Sequence, residues 1–221
     1  MRVRDCLPLA AAVAAATAAV AAAAGCKVRE PSAIDSSYTD DYERDSIGGD
    51  YNKTGAGYRV ADGALNAHGA HNHPLWLARR LPPGDLQIDL DAWSNSPDGD
   101  IKVEVYGDGH SFDPDAGRYM ATSYVLVFGG WHNQKSILAN RDEHGTTMAS
   151  RTTPKVVPGK HYHWRILRKG AVIDWYIDDM TTPFLHYDDP DPLSGPGHDY
   201  FAFDNWESDT WFDNLVIRRP S

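Results

Sequence analysis

Three features are scarce in this chain of 221 residues: cysteine, basic side chains and helical periodicity. Only two cysteines occur, Cys6 and Cys26, so a disulfide framework cannot be what supports the fold. Acidic residues outnumber basic ones by 31 to 21, which argues against nucleic acid or an anionic bilayer as a direct partner. No window beyond the first 26 residues shows a persuasive helical period. The chain must therefore rely on a hydrophobic core built from strands.

The N-terminal segment has the composition of an export signal. Two early arginines are followed by an Ala-rich apolar run from Leu7 to Ala24, and AAGC (Ala23 to Cys26) has the form of a cleavage site. This segment resembles a bacterial lipoprotein signal, although Ala23 stands where leucine is usual. The resemblance implies a signal peptide over residues 1–25 and acylation of the Cys26 thiol. Because Lys27 is not aspartate, it also implies an outer membrane lipoprotein in the cell envelope.

Two other interpretations of this segment stay open. It is an ordinary secretory signal with an incidental cysteine, or it is a transmembrane anchor, which an Ala-dominated run of this length favours less.

Under the lipoprotein interpretation the mature chain has no thiol left for a disulfide, and it carries 19 Lys and Arg against 30 Asp and Glu. It would meet the membrane only through its lipid. Residues 26–37 are predicted to be a polar tether, and residues 38–221 one domain.

From Tyr38 onward the pattern is that of short strands. Runs rich in Val, Ile, Tyr, Trp and Phe alternate with Gly, Pro, Asp and Asn turns. About a dozen such runs in one domain predict an all-β, two-sheet antiparallel β-sandwich or jelly roll. The predicted strands are Tyr58–Val60, Ala64–Ala67, Leu75–Leu81, Leu86–Ser94, Ile101–Tyr106, Ser123–Phe128, Ser136–Asp142, Tyr162–Arg168, Val172–Ile177, Phe184–Tyr187, Tyr200–Phe203 and Trp211–Ile217.

Alternation within these strands predicts a sheet face rich in polar and aromatic side chains. In Asp100–Asp108, for example, Lys102, Glu104 and Tyr106 point away from the apolar side. We expect the polar faces of several strands to meet in one groove, beside the turn that begins at Trp131. The alternative is an ordinary solvated sheet face, which antiparallel sheets usually have.

Several motifs resemble the concanavalin A-like lectin/glucanase superfamily, and more narrowly the bacterial LamG-like and 3-keto-disaccharide hydrolase-like domains. YRVADGAL (Tyr58–Leu65) is similar to an early hairpin, GKHYHW (Gly159–Trp164) to a strand past the middle, and FDNLVI (Phe212–Ile217) to the last strand. The resemblance covers nearly all of Tyr38 to Pro220 and implies a concanavalin A-like jelly roll. It is more specific for fold than for function, because the superfamily includes lectins, hydrolases, lyases and adhesion modules.

The predicted function is the binding of a carbohydrate or glycoconjugate. Sugars present apolar faces to aromatic rings and hydroxyl groups to amides, carboxylates and guanidinium groups. Trp164, Trp175 and Trp211 are predicted to be core, and Trp76 is undecided. The candidate ligand-binding residues are Trp93, Tyr106, Trp131, His132, Asn133, His163, Arg165, Asp204, Asn205 and Trp206.

A glycoside hydrolase or polysaccharide lyase is the first alternative. The candidate catalytic residues are Glu104, Asp142, Glu143 and His144, since a glycosidase needs two carboxyl groups roughly 5–10 Å apart. The E-x-D-x-x-E strand of laminarinase-type members is absent, because Lys102 stands where an acid is required. Arg141–His144 is otherwise an ion-paired strand end. The second alternative is a structural envelope lipoprotein whose groove contacts another protein.

Two groups of side chains in the sequence could bind a metal ion. The spacing of His68, His71 and His73 could ligate zinc, but a fourth ligand has no obvious source. The resemblance implies a possible structural calcium near the first and last strands, at Asp40, Asp41 and Asp213. We therefore predict no cofactor beyond that possible calcium.

Overall fold

The computed structural model describes residues 31–112, 121–145 and 147–220. The predicted signal peptide and Cys26 lie outside these residues. Within them, no helix has the length and apolarity needed to cross a membrane. Apart from the four-residue turn Gly130–Asn133, whose backbone is left-handed at Trp131 and His132, the regular structure consists of strands. These are β1 (Ser37–Asp40), β2 (Tyr51–Lys53), β3 (Tyr58–Ala61), β4 (Ala64–His68), β5 (Leu75–Leu77), β6 (Leu86–Ser94), β7 (Ile101–Gly107), β8 (Tyr124–Gly129), β9 (Lys135–Asn140), β10 (Thr147–Arg151), β11 (Tyr162–Lys169), β12 (Val172–Ile177), β13 (Leu185–Asp188), β14 (Tyr200–Asp204) and β15 (Asp209–Arg218).

The strands form two antiparallel sheets packed face to face. The eight-stranded sheet has the order β13-β12-β11-β6-β15-β4-β3, with β1 added along β15. The seven-stranded sheet has the order β10-β9-β8-β7-β14-β5-β2. The predicted all-β, two-sheet antiparallel sandwich is thus confirmed. Three short strands, β1, β2 and β10, were not predicted, and β5 ends at Leu77 instead of continuing to Leu81.

The core between the sheets is built from the apolar residues that occur at alternate positions along the strands. Phe128 of the seven-stranded sheet lies with its ring 5.0 Å from that of Tyr162 and 6.3 Å from that of Trp164, both in the eight-stranded sheet. Trp164 in turn packs on Trp175 at 4.7 Å, as expected for core tryptophans. Burying one large apolar side chain of this kind stabilises the fold by about 1.5–3 kcal/mol.

Two aromatic residues depart from the predicted positions. Trp211 is not in the core: it lies on the outer face of the eight-stranded sheet, stacked on Trp93 at 5.8 Å. Tyr106 is not on a polar face: it is buried within the main core cluster. The cause is a β-bulge, because Tyr200 pairs with Gly107 and Phe201 with Val105, which leaves Tyr106 as an extra residue with φ 64°.

Part of the predicted tether packs against the domain. The backbone N–H of Ile34 donates to Arg80 at 2.9 Å, and the Ile34 side chain is buried. Ala33 forms an isolated parallel bridge with the same Arg80. The ordered sandwich therefore includes residues that precede Tyr38.

Candidate functional site

A cavity of about 450 Å³ opens at the end of the seven-stranded sheet where β7 begins and β14 ends. Its walls include Trp131 and Trp206, which are 38% and 48% exposed. Among the described large apolar residues, only these two and Val157 are exposed. We call this cavity the tryptophan pocket. Its other lining residues are Asn72, Asp98, Asp100, Lys102, Val127, His132, Glu143, His144, Glu207 and Ser208.

Trp131 is presented by a turn with left-handed backbone between β8 and β9. Trp131, His132 and Asn133 have φ values of 52°, 57° and 59°, an arrangement that costs roughly 1–2 kcal/mol per residue outside glycine. The Asn133 side chain holds the turn: its amide nitrogen donates to Val156 O at 2.7 Å, and its oxygen accepts the Val156 N–H at 2.9 Å. Asn133 therefore fixes the conformation of the turn that carries Trp131.

Trp206 is positioned by hydrogen bonds from the neighbouring loops. Its backbone N–H donates to the Asp100 carboxylate at 2.6 Å, and its carbonyl accepts the His71 N–H at 2.9 Å. The preceding residue, Asn205, is buried, and its side-chain oxygen accepts the Ala70 N–H at 3.0 Å. Both tryptophan walls are thus held by hydrogen bonds to amide or carboxylate side chains.

The floor of the pocket contains a buried cation. Lys102 is 1% exposed; its Nζ donates to Asn72 Oδ1 at 2.6 Å and lies 2.8 Å from Glu143 Oε2 and 3.8 Å from Asp204 Oδ2. Burial alone would lower the pKa of Lys102, but the carboxyl groups of Glu143, Asp100 and Asp204 together raise it above its ordinary value. The ammonium group therefore stays charged and fixed in place.

Two carboxyl groups lie behind this floor. Glu104 and Asp204 are both fully buried, and Ser123 donates a hydrogen bond to Glu104. Burial raises the pKa of Glu104 well above its usual range, and burial together with neighbouring carboxyl groups raises the pKa of Asp204 to about 8. The floor screens both carboxyl groups from the solvent.

The predicted catalytic residues are not gathered around the open space. Glu143 and His144 line the tryptophan pocket, whereas Glu104 is enclosed behind Lys102. Asp142 does not line the pocket, and its carboxylate accepts the backbone N–H of His144 at 2.9 Å. Glu143 is itself held in the ion pair with Lys102. The four predicted catalytic residues therefore do not provide a pair of open carboxyl groups across one space; the exposed carboxylates that line the pocket are Asp98 and Glu207.

The predicted ligand-binding residues divide between the two sheets. Trp131, His132 and Trp206 line the tryptophan pocket, while Asn133, Asp204 and Asn205 support it from behind. Tyr106 lies in the core. Trp93, His163 and Arg165 belong to β6 and β11 of the eight-stranded sheet. The single groove expected from strand alternation therefore does not form.

The outer face of the eight-stranded sheet is occupied by its own cross-strand pairs. His163 lies 2.8 Å from Asp91, and Arg165 lies 2.6 Å from Asp89. Trp93 is stacked on His161 at 4.0 Å. Pairs of this kind are those that stabilise a solvated sheet surface.

The residues expected to bind metals have other partners. Asp40 accepts from Arg44 through both oxygens, at 2.5 and 2.8 Å, and from Tyr51 at 2.8 Å. Burial acts to raise the pKa of Asp40, but these hydrogen bonds outweigh it and hold the pKa below its ordinary value. The Asp40 carboxylate is thus engaged by a guanidinium group, while Asp41 accepts the Glu43 N–H at 3.3 Å and Asp213 accepts the Asn214 N–H at 2.7 Å. Across the described ranges no cluster of three or more His, Cys, Asp or Glu could hold a metal ion.

The three histidines considered for zinc also diverge. His68 Nδ1 lies 3.7 Å from Asp209, and His71 Nδ1 lies 4.0 Å from Glu207. His73 stacks on Phe112 at 3.5 Å between ring centroids. Each ring therefore has a separate neighbour, and the three do not converge.

Sequence reasoning did not assign Lys102, Asn72, Asp100 or Glu207 to the site. One signal was present in the sequence of β7. One face of this strand is apolar, and Lys102 lies with Glu104 on the other face. Such a residue has to find carboxylate partners when the strand is central. The partners themselves come from loops distant in sequence, which no local pattern indicates.

Comparison with known families identifies the chain. Residues 91–214, more than half of the sequence, match the family described as "Farnesoic acid 0-methyl transferase". The chain belongs to this family. The matched segment begins within β6 and ends within β15, and it includes Lys102, Trp131, Glu143 and Trp206 of the tryptophan pocket. No curated protein sequence matches this chain.

Solved structures share the fold at low sequence identity. The carbohydrate-binding module CBM66 from Bacillus subtilis is 13% identical, with a TM-score of 0.57 over 78% of this chain and 98% of that one. A Bacillus subtilis protein of unknown function with a galectin-like fold is 15% identical, with a TM-score of 0.60 over 82% and 94%. The exoplasmic/lumenal domain of VIP36, in its Ca2+/Man3GlcNAc-bound form, is 7% identical, with a TM-score of 0.57 over 78% and 83%. These likenesses show a lectin-type β-sandwich, in agreement with the resemblance to concanavalin A-like domains.

Proposed function

We propose that the tryptophan pocket binds a carbohydrate or the glycan of a glycoconjugate. The observation that carries this proposal is the pair of exposed rings, Trp131 and Trp206, on the walls of one cavity with a polar floor. Flat apolar rings suit the C–H faces of a sugar, and a cavity of about 450 Å³ lies within the range of small-ligand sites.

The floor supplies the polar half of such recognition. Lys102, Asn72 and Glu143 form a connected network whose members are buried and therefore held in place before a ligand arrives. Pre-organised donors and acceptors reduce the entropy lost on binding. Sugar hydroxyl groups can both donate and accept, so a floor with ammonium, amide and carboxylate groups is chemically matched to them.

Two of the structural neighbours support the proposal. CBM66 is described as a carbohydrate-binding module, and the VIP36 domain was solved with Man3GlcNAc. The name of the matched family suggests methyl transfer instead.

The test is a binding assay on a panel of soluble polysaccharides, by affinity electrophoresis and then calorimetry. Trp131→Ala and Trp206→Ala should each weaken binding at least about tenfold, because each ring would bury about 150–250 Å² of surface. Trp93→Ala is the matched control, since Trp93 is a partly exposed tryptophan on the other sheet. Loss of binding in the control, with Trp131→Ala unaffected, would contradict the proposed location.

The hydrolase or lyase alternative stays a prediction with its own test. Turnover of a polysaccharide by the native chain, abolished by Asp142→Asn or Glu104→Gln, would support it. The enclosed position of Glu104 gives no support to such a role. Binding to none of the panel, with no turnover, would favour the structural alternative in which the pocket contacts another protein.

We also propose that the sandwich is held at the outer membrane by a lipid on Cys26, with the signal over residues 1–25 removed. The support is the AAGC site after an apolar run that follows two arginines. In this arrangement the lipid is the only contact with the bilayer, and the folded domain carries the glycan-binding function.

A further inference from the structure

A second cavity, of about 610 Å³, lies at the opposite end of the sandwich. Strand β7 starts beside the tryptophan pocket at Lys102 and reaches this second cavity at Tyr106. Strand β14 runs in the opposite direction. Asp199, just before this strand, lines the second cavity, and Trp206, just after it, lines the tryptophan pocket. We call it the Arg168 pocket, after the residue that lies deepest among its charged members.

Arg168 is a buried cation with no described carboxylate in direct contact. It is 7% exposed, its Nε donates to Gly170 O at 2.9 Å, and its Nη1 donates to Leu193 O at 2.6 Å. In the part of the chain that the structure describes, no carboxylate lies within salt-bridge distance of Arg168. The other buried cation, Lys102, lies 2.8 Å from the carboxylate of Glu143. Because a guanidinium group cannot lose its proton in a protein, it stays charged here, and its contacts are two backbone carbonyls and the Tyr106 ring.

Tyr106 provides an additional hydrogen-bond donor beside Arg168. The Arg168 guanidinium lies 4.2 Å from the centre of the Tyr106 ring, and the buried hydroxyl makes no hydrogen bond of normal geometry. Burial raises the pKa of Tyr106 to about 12 even though Arg168 opposes the shift, so the hydroxyl keeps its proton. The phenol is therefore available as a donor to an acceptor brought by a ligand.

The remaining charges of the pocket lie nearer the solvent. Arg80 adds a second guanidinium group, which is partly exposed. Asp85 is exposed, and its carboxylate accepts the Gly170 N–H at 2.9 Å. Asp199 is partly exposed. The pocket is thus lined by two arginines and two aspartates, and the charge at its buried end is positive.

We propose that the Arg168 pocket binds the oxyanion group of a small ligand: a carboxylate, a phosphate or a sulfate. The planar fork of arginine matches such groups through paired hydrogen bonds, and a buried fork binds them more strongly than an exposed one. This site is separate from the tryptophan pocket and does not depend on the sugar-binding proposal.

The test is thermal denaturation and calorimetry of the full chain with phosphate, sulfate and acetate, against chloride at the same ionic strength. At least one oxyanion should bind saturably and raise the melting temperature with concentration, because it binds only the folded state. The pattern among the three anions distinguishes a phosphate or sulfate group from a carboxylate. Arg168→Lys keeps the charge but loses the fork, so it should weaken binding at least about tenfold.

Other variants keep the test decisive if Arg168→Lys folds poorly. Arg80→Gln removes a partly exposed guanidinium from the pocket and should weaken binding severalfold with the fold intact. Arg59→Gln is the matched control, an exposed arginine on β3, and Trp131→Ala is a second control; both should bind as the native chain does. No saturable binding of any of the three anions, or native affinity in both Arg168→Lys and Arg80→Gln, would overturn the proposal.

Discussion

Lys102 is the residue on which the floor of the tryptophan pocket depends. Its buried ammonium group is compatible with the fold because Glu143 and Asp204 lie at 2.8 and 3.8 Å and Asn72 accepts at 2.6 Å. Breaking a buried pair by removing one partner leaves the others uncompensated, which typically costs about 3–5 kcal/mol. The residue is thus both a structural group and part of the proposed binding surface.

Lys102→Met should therefore lower the free energy of unfolding by about 3–5 kcal/mol. Denaturation in urea, with circular dichroism as the probe, measures the change. The double variant Lys102→Met with Glu143→Gln should lose less than the sum of the two single variants, because neither partner is then left as a buried charge. Additive losses would contradict the direct pairing of these two residues.

The raised pKa of Asp204 predicts how the free energy of unfolding depends on pH. Its pKa is about 8 in the folded chain against an ordinary value of 3.8, so between these values the folded state holds a proton that the unfolded state has lost. Stability must therefore fall as the pH rises from about 4 to about 8, and buried Glu104, whose pKa is also raised, acts in the same direction.

Thermal denaturation across pH 4–8 tests this directly. Asp204→Asn keeps a neutral side chain of the same shape, so it should flatten the decline and leave the melting temperature near pH 4 almost unchanged. Asp35→Asn, at an exposed position, is the control and should keep the native profile. A native chain that gains stability over this range would show that the two buried carboxyl groups ionise freely.

Single residues show what the sequence can predict. Trp164 and Trp175 were assigned to the core from alternation alone, and they lie there. Trp131 and Trp206 were assigned to a binding surface, and both are exposed on one cavity. Tyr106 was misplaced because a bulge shifts the pleat by one residue, which local alternation does not indicate.

At the scale of elements, the β7 bulge is followed by a tightly packed glycine. A Cβ at Gly107 would lie 2.6 Å from Cζ3 of Trp76, and Trp76 is buried and cannot move away. Gly107→Ala should therefore destabilise the fold by about 1–3 kcal/mol in urea denaturation. Gly49→Ala is the control, because no atom lies within 4 Å of its added methyl group. Equal stability of the two variants would exclude this close contact.

The left-handed turn between β8 and β9 gives a second prediction at this scale. Asn133→Ala removes the two hydrogen bonds to Val156 at 2.7 and 2.9 Å. Stability should fall by about 1–3 kcal/mol, and saccharide binding should weaken because Trp131 loses its fixed position. Asn52→Ala, at an exposed amide on β2, should change neither quantity. Native binding by Asn133→Ala would show that Trp131 needs no such support.

The strands were predictable, but their partners were not. Val, Ile and aromatic alternation between Gly, Pro and Asp turns predicts where strands occur, because those preferences are local. The pairing of β7 with β14 joins residues about a hundred positions apart. Alternation shows that His163 and Glu104 each lie on a polar face, but it cannot show that the two faces belong to different sheets. That is why the predicted groove combined two separate surfaces.

At the scale of the whole molecule, the proposed anchor can be tested independently of the sandwich. Growth of an expressing bacterium with a labelled fatty acid should label the native chain, and Cys26→Ser should abolish the label and release the protein from the membrane fraction. Cys6→Ser is the control, since Cys6 is in the segment expected to be removed. Labelling that persists in Cys26→Ser would contradict acylation at that residue.

The position of Ala33 beside Arg80 fixes which pole of the sandwich the described chain starts from. Both residues line the Arg168 pocket, while Trp131 and Trp206 stand at the far pole. The described chain therefore enters the sandwich at the end opposite to the two exposed tryptophan rings.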